Sequence, residues 1–422
     1  MDAATPPPDV DLSAIDIASP EVYERGIPHE SFRLLRQHSP VHWHPWNWSG
    51  GGFWAVTTRE DLTTVTRDWQ TYTSEQHVNL WELTPEAQEA RRSLIETDGM
   101  AHTRLRRLVT QLFTMRRMAE YDDSTRVILD ELLDGIIGAG DVDLVPALSE
   151  PFPIRVIVSI LGIPRDDGDF LVDLSNQLVE GTSDRVLDPT AYGNTTPLEL
   201  LPFNSPAAHA LFEFGRNLGE QRRGCPADDL VSRLVTAEID GDHLTDAEFC
   251  NFFQLLVFAG NETTRTAISN GLAAFMRNPD QLEVLRNDPT LIPQAVEEVL
   301  RYSTPVLHMR RTATADTELH GVPIAAGDKV VLWYASANFD EAAFPDPLAF
   351  DVTRPMKPDH VSFGAFGPHH CLGAPLARLE LRLLLEHLVR RNVRVEQTGE
   401  IVRTRSNFVN GVLSLPCRFT SS

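Results

Sequence analysis

The chain has 422 residues, 42% of them hydrophobic, so it is long enough to bury a large core. Asp and Glu outnumber Lys and Arg by 60 to 37, which gives a formal net charge of −23 and argues against nucleic acid or an anionic membrane as a partner. The four cysteines include no C-x-x-C pair, which is typical of a reducing compartment, and we expect a cytoplasmic protein.

The N-terminal segment precedes the first regular pattern. Residues 1–20 lack the basic and apolar stretches of a signal peptide or membrane anchor and are predicted to be a flexible tail, with residues 21–422 forming a single domain. A helix is predicted near residues 31–38. The runs VHWH and FWAV that follow are predicted to pair as a β-hairpin.

A basic helix is predicted after the irregular polar stretch at residues 74–96. Asp98 can cap this helix, which begins near Met100. His102 and Arg106 are four residues apart and therefore share one helix face. They could hold a pair of carboxylates, or they could belong to a solvated basic surface.

The middle of the chain contains several helical patterns broken by prolines, and then one long helix. Residues 179–205 are rich in Gly, Pro, Thr and Asn and are predicted to be a surface loop that could act as a lid. Thr245 and Glu248 form a capping box that opens a helix of about 32 residues, on the order of 48 Å long. The polar run AGNETT, residues 259–264, interrupts its apolar pattern and could bend it at a site.

A helix over residues 293–302 carries Glu298 and Arg301 three residues apart. Such pairs are usually surface salt bridges worth less than about 1 kcal/mol. Strands and turns follow up to about residue 336, then a proline-rich extended stretch at 340–360, and a terminal β-hairpin is predicted within 393–419.

A glycine-rich loop, FGAFGPHHCLG, precedes the last predicted helix. Cys371 lies between Gly367 and Gly373, which allow the backbone to approach a large flat ligand. Pro375 suits the first helical turn, so Cys371 lies at a helix N-terminus, which favours a metal-binding thiolate. Taken alone, the same pattern also fits a structural cysteine.

The order and spacing of these motifs resemble those of the cytochrome P-450 superfamily, the haem-thiolate monooxygenases, and in particular its soluble bacterial branch. The resemblance covers roughly residues 31–419. It implies a mainly α-helical fold with small β-sheets, in which a long central helix lies over a haem held by a Cys loop. One departure is that Phe363 lies eight residues before Cys371 rather than seven, so either Phe363 or Phe366 would shield the thiolate.

The resemblance also assigns residues. The iron ligand would be Cys371, and the other haem-binding residues would be His102, Arg106, Ala259, Arg311, Phe363, His369 and Gly373. Oxygen activation would fall to Gly260, Glu262 and Thr263, and a structural triad to Glu298, Arg301 and Arg354. Substrate contacts would include Val257, Phe258, Val306, Leu307, Phe408 and Val409, each of which could instead be a core residue.

The implied function is a monooxygenase with haem b that hydroxylates or otherwise oxidises a hydrophobic small molecule such as a terpenoid, steroid or polyketide in secondary metabolism. No G-x-G-x-x-G follows a predicted strand, so the two electrons that accompany O2 are expected from a ferredoxin and its reductase. An acidic ferredoxin would be steered by a group of arginines, and the protein is expected to be a monomer. These are Arg104, Arg107, Arg116, Arg117, Arg382, Arg390 and Arg391.

Three alternatives differ in chemistry. A peroxide-driven hydroxylase of the same fold is disfavoured because Glu262 and Thr263 are both present. A zinc protein using His369, His370 and Cys371 is disfavoured because three adjacent side chains do not easily form one tetrahedron. A hydrolase lacks its motifs, since neither G-x-S-x-G nor H-E-x-x-H occurs.

Overall fold

The computed structural model describes residues 11–46, 51–80, 82, 84–90, 92–164, 168, 170–174 and 206–421. The lid predicted at residues 179–205 lies outside these residues. The helices are α1 (His29–His38), α2 (Arg59–Arg67), α3 (Pro85–Ala90), α4 (Gly99–Thr110), α5 (Met115–Ala119), α6 (Asp122–Ile136), α7 (Pro151–Leu161), α8 (Pro206–Gly224), α9 (Leu230–Val235), α10 (Asp246–Arg277), α11 (Pro279–Asn287), α12 (Ile292–Ser303), α13 (Tyr334–Ala337) and α14 (Ala374–Arg390).

The β-structure is confined to small sheets. The strands are β1 (Val41–His44), β2 (Phe53–Val56), β3 (Tyr72–Thr73), β4 (Asp141–Asp143), β5 (Glu238–Ile239), β6 (Asp242–His243), β7 (His308–Ala313), β8 (Thr317–Leu319), β9 (Val322–Ile324), β10 (Lys329–Trp333), β11 (Val393–Gln397), β12 (Val402–Arg403), β13 (Val412–Ser414) and β14 (Pro416–Ser421). The largest sheet has the order β1-β2-β10-β7-β3, and β1 and β2 form the predicted hairpin. The C-terminal strands do not form the single hairpin predicted: β11 pairs with β14, which also pairs with β4, and β12 pairs with β13 in a separate sheet.

The central helix α10 organises the helical part. It has 32 residues, and both hydrogen bonds of the predicted capping box between Thr245 and Glu248 are present. It packs against α7, α8 and α12, so most of its surface is buried. Helical structure continues through residues 259–264, and the Thr263 hydroxyl donates to the carbonyl of Ala259 at 2.7 Å, which is the back-bond expected from the sequence. None of the described helices is both long and apolar enough to cross a membrane.

Two of the sequence predictions are wrong in part, and the first concerns the N-terminal tail. Ile17 and Ala18 are fully buried against the large sheet, and the Tyr23 hydroxyl donates to the carbonyl of Ile17 at 2.7 Å. The tail predicted for residues 1–20 therefore ends earlier, because these apolar side chains complete the core around Trp333.

The second prediction concerns the start of α4. Asp98 does occupy the N-cap position of α4, but its carboxylate makes no capping hydrogen bond.

Candidate functional site

The loop before α14 presents Cys371 at the start of a helix. The amide of Cys371 donates to the carbonyl of Phe363 at 2.8 Å, which closes the loop. At Gly367, an added Cβ would lie 2.2 Å from the backbone oxygen of Thr66, so only glycine lets the loop pack against α2. The loop is thereby fixed between α2 and α14.

The electrostatic environment of Cys371 contains opposing effects. Burial raises the pKa of the Cys371 thiol, whereas the amides of Gly373 and Ala374 and the charge of Arg106 lower it. The helix N-terminus therefore acts in the predicted direction but does not outweigh burial. A coordinated cation would deprotonate the thiol outright. Cys371 nevertheless keeps accessible surface, so the surrounding protein atoms do not cover it completely.

The two phenylalanines of the loop have different environments. Phe363 is half-buried, and the guanidinium of Arg378 lies 4.6 Å from its ring centroid. Phe366 is 44% exposed and stacks on His370 with centroids 6.3 Å apart. His369 instead turns toward Asp98, with Nε2 at 2.8 Å from Oδ1. The two histidines thus do not converge with Cys371 on one point, which disfavours the zinc site.

Several of the predicted cationic residues meet near Cys371. The rings of His102 and His369 are 4.4 Å apart, and Nη2 of Arg106 donates to the carbonyl of His370 at 2.6 Å. Burial and the charges of His369 and Arg106 lower the pKa of His102 to about 4, and its Nε2 is buried without a hydrogen-bond partner among the described residues. A nearby anion would give this ring a partner.

The fully buried arginines of the described chain differ in their partners. Arg265, Arg301 and Arg310 each have a carboxylate within 4.0 Å, and their partners are Glu262, Glu298 and Glu82. Arg311 has none among the described residues, and its Nη1 donates to the carbonyl of Arg310 at 2.8 Å. Because burying a cation without a counter-charge costs free energy, we expect an anionic ligand to bind beside Arg311.

These features fit a haem. Its two propionates would supply the negative charge that Arg106 and Arg311 lack, and Cys371 is the soft ligand that suits its iron. At Gly373, a Cβ would meet only one protein atom within 4 Å, the Cys371 sulfur at 3.9 Å, so glycine keeps the space beside the sulfur open. The site therefore combines an accessible thiol, unpaired cations and a clear surface for a flat ring.

A second group of predicted residues lies at the middle of α10. Ala259, Gly260 and Thr263 form a half-buried stripe on a helix whose other faces are largely buried. Gly260 also has a packing role that the sequence did not reveal, because a Cβ there would lie 2.7 Å from Cδ1 of Ile157. Glu262 is buried, and its Oε2 lies 3.7 Å from Nη1 of Arg265.

The predicted structural triad is assembled. Arg301 makes a bidentate contact with Glu298, at 2.7 Å and 2.8 Å, and both side chains are fully buried. Arg354 donates to the same carboxylate at 3.1 Å. Arg301 further donates to the carbonyls of Asn338 and Pro347, each at 2.9 Å. The pair thus fastens α12 to the proline-rich segment and is not a surface salt bridge.

The residues predicted to contact substrate separate into two sets. Phe258, Val306 and Phe408 are half-buried, and a backbone bridge joins Val306 to the nearly buried Val409. Val257 and Leu307 are 0% exposed, each inside an apolar cluster, and Leu307 packs with the core around Trp333. The prediction of substrate contact is therefore wrong for Leu307 and Val257, because their surfaces are covered by other core side chains.

Arg378 was missed by the sequence analysis. It lies on α14 over Phe363, contributes to the electrostatics of Cys371, and binds Glu297 at 2.7 Å and 2.8 Å. Its position seven residues after the cysteine, two turns along a predicted helix, was the available signal.

Comparison with known proteins identifies the family. The family model for cytochrome P450 matches residues 17–417. The chain belongs to the cytochrome P450 family. This P450 is a haem b monooxygenase with a mainly helical fold, as the sequence predicted.

Similar P450 proteins cover nearly the whole chain. A methyl-branched lipid omega-hydroxylase of Mycobacterium tuberculosis is 36% identical, over 98% of this chain and 96% of that protein. A steroid C26-monooxygenase of Rhodococcus jostii is 35% identical, over 94% and 83%. The structure of a Mycobacterium marinum cytochrome P450 in complex with pseudoionone has a TM-score of 0.84 and 37% identity, over 98% of this chain and 100% of that chain.

Proposed function

We propose that this P450 holds its haem through Cys371 and hydroxylates a terminal methyl group of a branched hydrophobic chain. The observation that carries the haem site is that the exposed residue Cys371 lies close to Arg106, and that Arg106 and the buried Arg311 have no carboxylate partner among the described residues. When bound, the haem supplies the iron that activates O2 for insertion of one oxygen atom into a C–H bond.

The protein residues around the haem have separate tasks. Arg106, Arg311, His102 and His369 bind the two propionates and orient the ring. Phe363 covers the sulfur, a role supported by its burial and by the exposure of Phe366.

Thr263 and Glu262, at the middle of α10, would hold and transfer protons during the reaction. Because the Thr263 hydroxyl donates its hydrogen bond to the carbonyl of Ala259, its oxygen is free to accept a hydrogen bond from a protonated group next to the half-buried stripe. Arg265 lies between Glu262 and Glu150, 3.7 Å and 3.9 Å from their carboxylates. An arginine does not give up protons, so Glu262 must swing away from Arg265 to deliver one.

The spectrum of the reduced, carbon-monoxide-bound protein tests the haem site. A red-shifted thiolate Soret band is expected for the wild type and should be lost in Cys371→Ser. The matched control is Cys417→Ser, because Cys417 is a buried cysteine in β14. A thiolate band that persists in Cys371→Ser would refute the assignment of the ligand, and absence of the band from wild type with zinc bound would refute the haem site.

The substrate proposal rests on the half-buried apolar residues and on the relatives. Phe258, Val306 and Phe408 offer hydrophobic contact. The similar proteins named above act at the omega position of methyl-branched lipids and at C26 of steroids. Both positions are terminal carbons of a branched chain. The substrates of these relatives therefore share a branched end, and we propose that such an end of the substrate lies nearest the iron.

A substrate panel tests this proposal. Methyl-branched fatty acids, a sterol with an intact side chain, and pseudoionone are titrated while the spin state of the haem is followed, and products are located by mass spectrometry. We expect binding of at least one and oxidation at a terminal methyl. Oxidation only at ring or internal carbons would contradict the proposal. Product formation with hydrogen peroxide but not with a reduced ferredoxin would favour the peroxide-driven alternative.

A ferredoxin is the proposed electron donor, and the face around α4 and α5 is its proposed docking site. Most of the arginines predicted to attract it are already paired: Arg104 with Asp242 and Glu248, Arg107 with Asp240, Arg117 with Glu120, Arg382 with Asp122 and Glu386, Arg390 with Asp130, and Arg391 with Asp134. These pairs reduce the long-range attraction that the sequence suggested.

Three features still favour this face. Arg116 has no ion pair among the described residues, and Arg107 meets Asp240 in a highly exposed pair that a partner could displace. Met100 is 90% exposed at the rim of a cleft of about 500 Å³. The residues lining the cleft are Trp69, Gly99, Met100, His102, Thr103, Arg104, Arg107 and Pro368. A mixed basic and apolar surface beside the Cys loop suits transient docking of an acidic protein.

Charge reversal tests the docking face. Arg116→Glu and Arg107→Glu should slow haem reduction by an acidic ferredoxin and weaken its dependence on salt. Arg418→Glu is the control, because Arg418 is an exposed, paired arginine on β14. If the reduction rate and its salt dependence are the same in all three variants and in wild type, the donor docks elsewhere.

A further inference from the structure

Asp98 departs from the usual behaviour of its position. Aspartate is among the best N-cap residues, and a capping bond stabilises a helix by about 1 kcal/mol. Asp98 occupies the N-cap of α4, yet its carboxylate accepts no hydrogen bond from the first turn. The side chain is 7% exposed, so solvent does not satisfy it either. A local rule is broken here, which is typical of functional positions.

The carboxylate of Asp98 binds two other segments instead. Its Oδ1 accepts from Nε2 of His369 at 2.8 Å, in the Cys loop. Its Oδ2 accepts from the Thr73 hydroxyl at 2.7 Å and from the Ser74 amide at 2.6 Å, where β3 ends. The Ser74 hydroxyl also lies 3.2 Å from Nε2 of His369. One side chain thus joins α4, the Cys loop and the end of β3.

These contacts fix the orientation of His369. Because Asp98 and Ser74 engage Nε2, the other ring nitrogen is the one left to face a ligand, and no hydrogen bond to it occurs among the described residues. The ring also lies against His102, with centroids 4.4 Å apart. The same carboxylate therefore orients one of the four residues proposed to bind the propionates, and that residue contacts a second one.

We propose that Asp98 is a positioning residue that orients His369 toward a haem propionate. It acts through His369 and does not touch the haem itself. The inference rests on the proposed propionate-binding role of His369. A histidine held by a carboxylate on one nitrogen keeps a single ring orientation for the ligand on the other, as in the outer shells of metal sites.

Haem retention tests this role without measuring catalysis. The ferric protein is mixed with excess haem-free myoglobin, and the rate of haem transfer is followed by absorbance. Asp98→Ala should release haem about tenfold faster, the size expected when a charge-assisted hydrogen bond is lost. Asp98→Asn is similar in shape and should fall between Asp98→Ala and wild type. Thr114→Ala is the matched control, since Thr114 makes a true capping bond to Arg117 on α5.

A double-mutant cycle separates positioning from general destabilisation. If Asp98 acts through His369, adding Asp98→Ala to His369→Ala should change haem release no further. Equal multiplicative effects in both backgrounds would overturn the proposal, because Asp98 would then act independently of His369. If His369→Ala alone leaves haem release unchanged, the proposed role of His369 fails first. The midpoint potential of each variant gives a second readout that loss of a helix cap would not shift.

Discussion

The buried pair of Glu298 and Arg301 should contribute far more to stability than an identical pair on the surface. The chain contains its own control, because Glu30 and Arg33 have the same spacing and a bidentate contact on α1. The surface pair is 69% and 39% exposed at the side chains, whereas the buried pair is 1% and 2% exposed. Replacing each arginine by alanine therefore compares a buried pair with an exposed pair of the same spacing.

The expected magnitudes differ severalfold. Arg33→Ala removes an exposed ion pair, which costs about 0–1 kcal/mol. Arg301→Ala leaves Glu298 buried with Arg354 and the amide of Asp351 as its remaining partners. It also removes the donors of two backbone carbonyls. Breaking a buried pair costs about 3–5 kcal/mol, so we expect Arg301→Ala to destabilise the fold by at least that amount.

Urea unfolding followed by circular dichroism, with haem absorbance recorded in parallel, measures both variants. Arg301→Lys is a useful third protein, since a lysine keeps the charge but loses the planar bidentate geometry, and it should fall between wild type and Arg301→Ala. Similar losses of stability in Arg33→Ala and Arg301→Ala would refute the reasoning, because burial would then not decide the contribution.

Three further predictions concern the site. Thr263→Ala should consume reductant and release peroxide without product, and unchanged coupling of electrons to product would remove the role given to Thr263. Gly367→Ala should lower haem content and cost about 1–3 kcal/mol, because a Cβ would lie 2.2 Å from the Thr66 backbone oxygen; normal haem content and stability would contradict this. Burial opposes ionisation of Glu297, but Arg378 and His360 outweigh it and lower its pKa to about 2. Its stabilisation is therefore present above the unfolded pKa of about 4.3 and is lost as the pH falls toward 2, so Glu297→Gln should flatten the acid limb of a stability–pH curve, and superimposable limbs would refute the pairing.

The sequence predicted best what depends on local chemistry. The long helix α10 was found with its capping box because a capping box and an absence of proline act through neighbouring residues. Cys371 was placed correctly before α14 for the same reason. The pattern Glu-x-x-Arg, by contrast, also begins at Glu30, Glu89, Glu213, Glu220, Glu262, Glu283 and Glu400. The neighbouring residues do not show which of these Glu-Arg pairs is buried, so only the resemblance to a family pointed to Glu298.

The predictions that were wrong depend on tertiary packing. Leu307 is as apolar as a residue that lines a pocket, but it lies just before β7 and is buried in the core around Trp333. Ile17 lies in a segment with no helical or strand pattern and is buried by partners far along the chain. The side chain of Asp98 hydrogen-bonds to His369, which lies 271 positions away in the sequence, and makes no capping bond to its own helix. Each of these contacts depends on residues far away in the sequence, and intrinsic helix and strand propensities do not take such residues into account.

The large acidic excess of the chain makes its unpaired cations informative. With 60 acidic and 37 basic residues, a cation has many possible partners, and even the exposed arginines of α4 and α14 mostly have one. A buried arginine that has none among the described residues, such as Arg311, is therefore better explained by a ligand than by a shortage of carboxylates. A direct test is to give Arg311 a negatively charged partner from the chain itself. A carboxylate introduced beside Arg311, as in Met309→Glu, should compete with a propionate and weaken haem binding. Unaltered haem affinity in a folded variant would mean that Arg311 does not serve the haem.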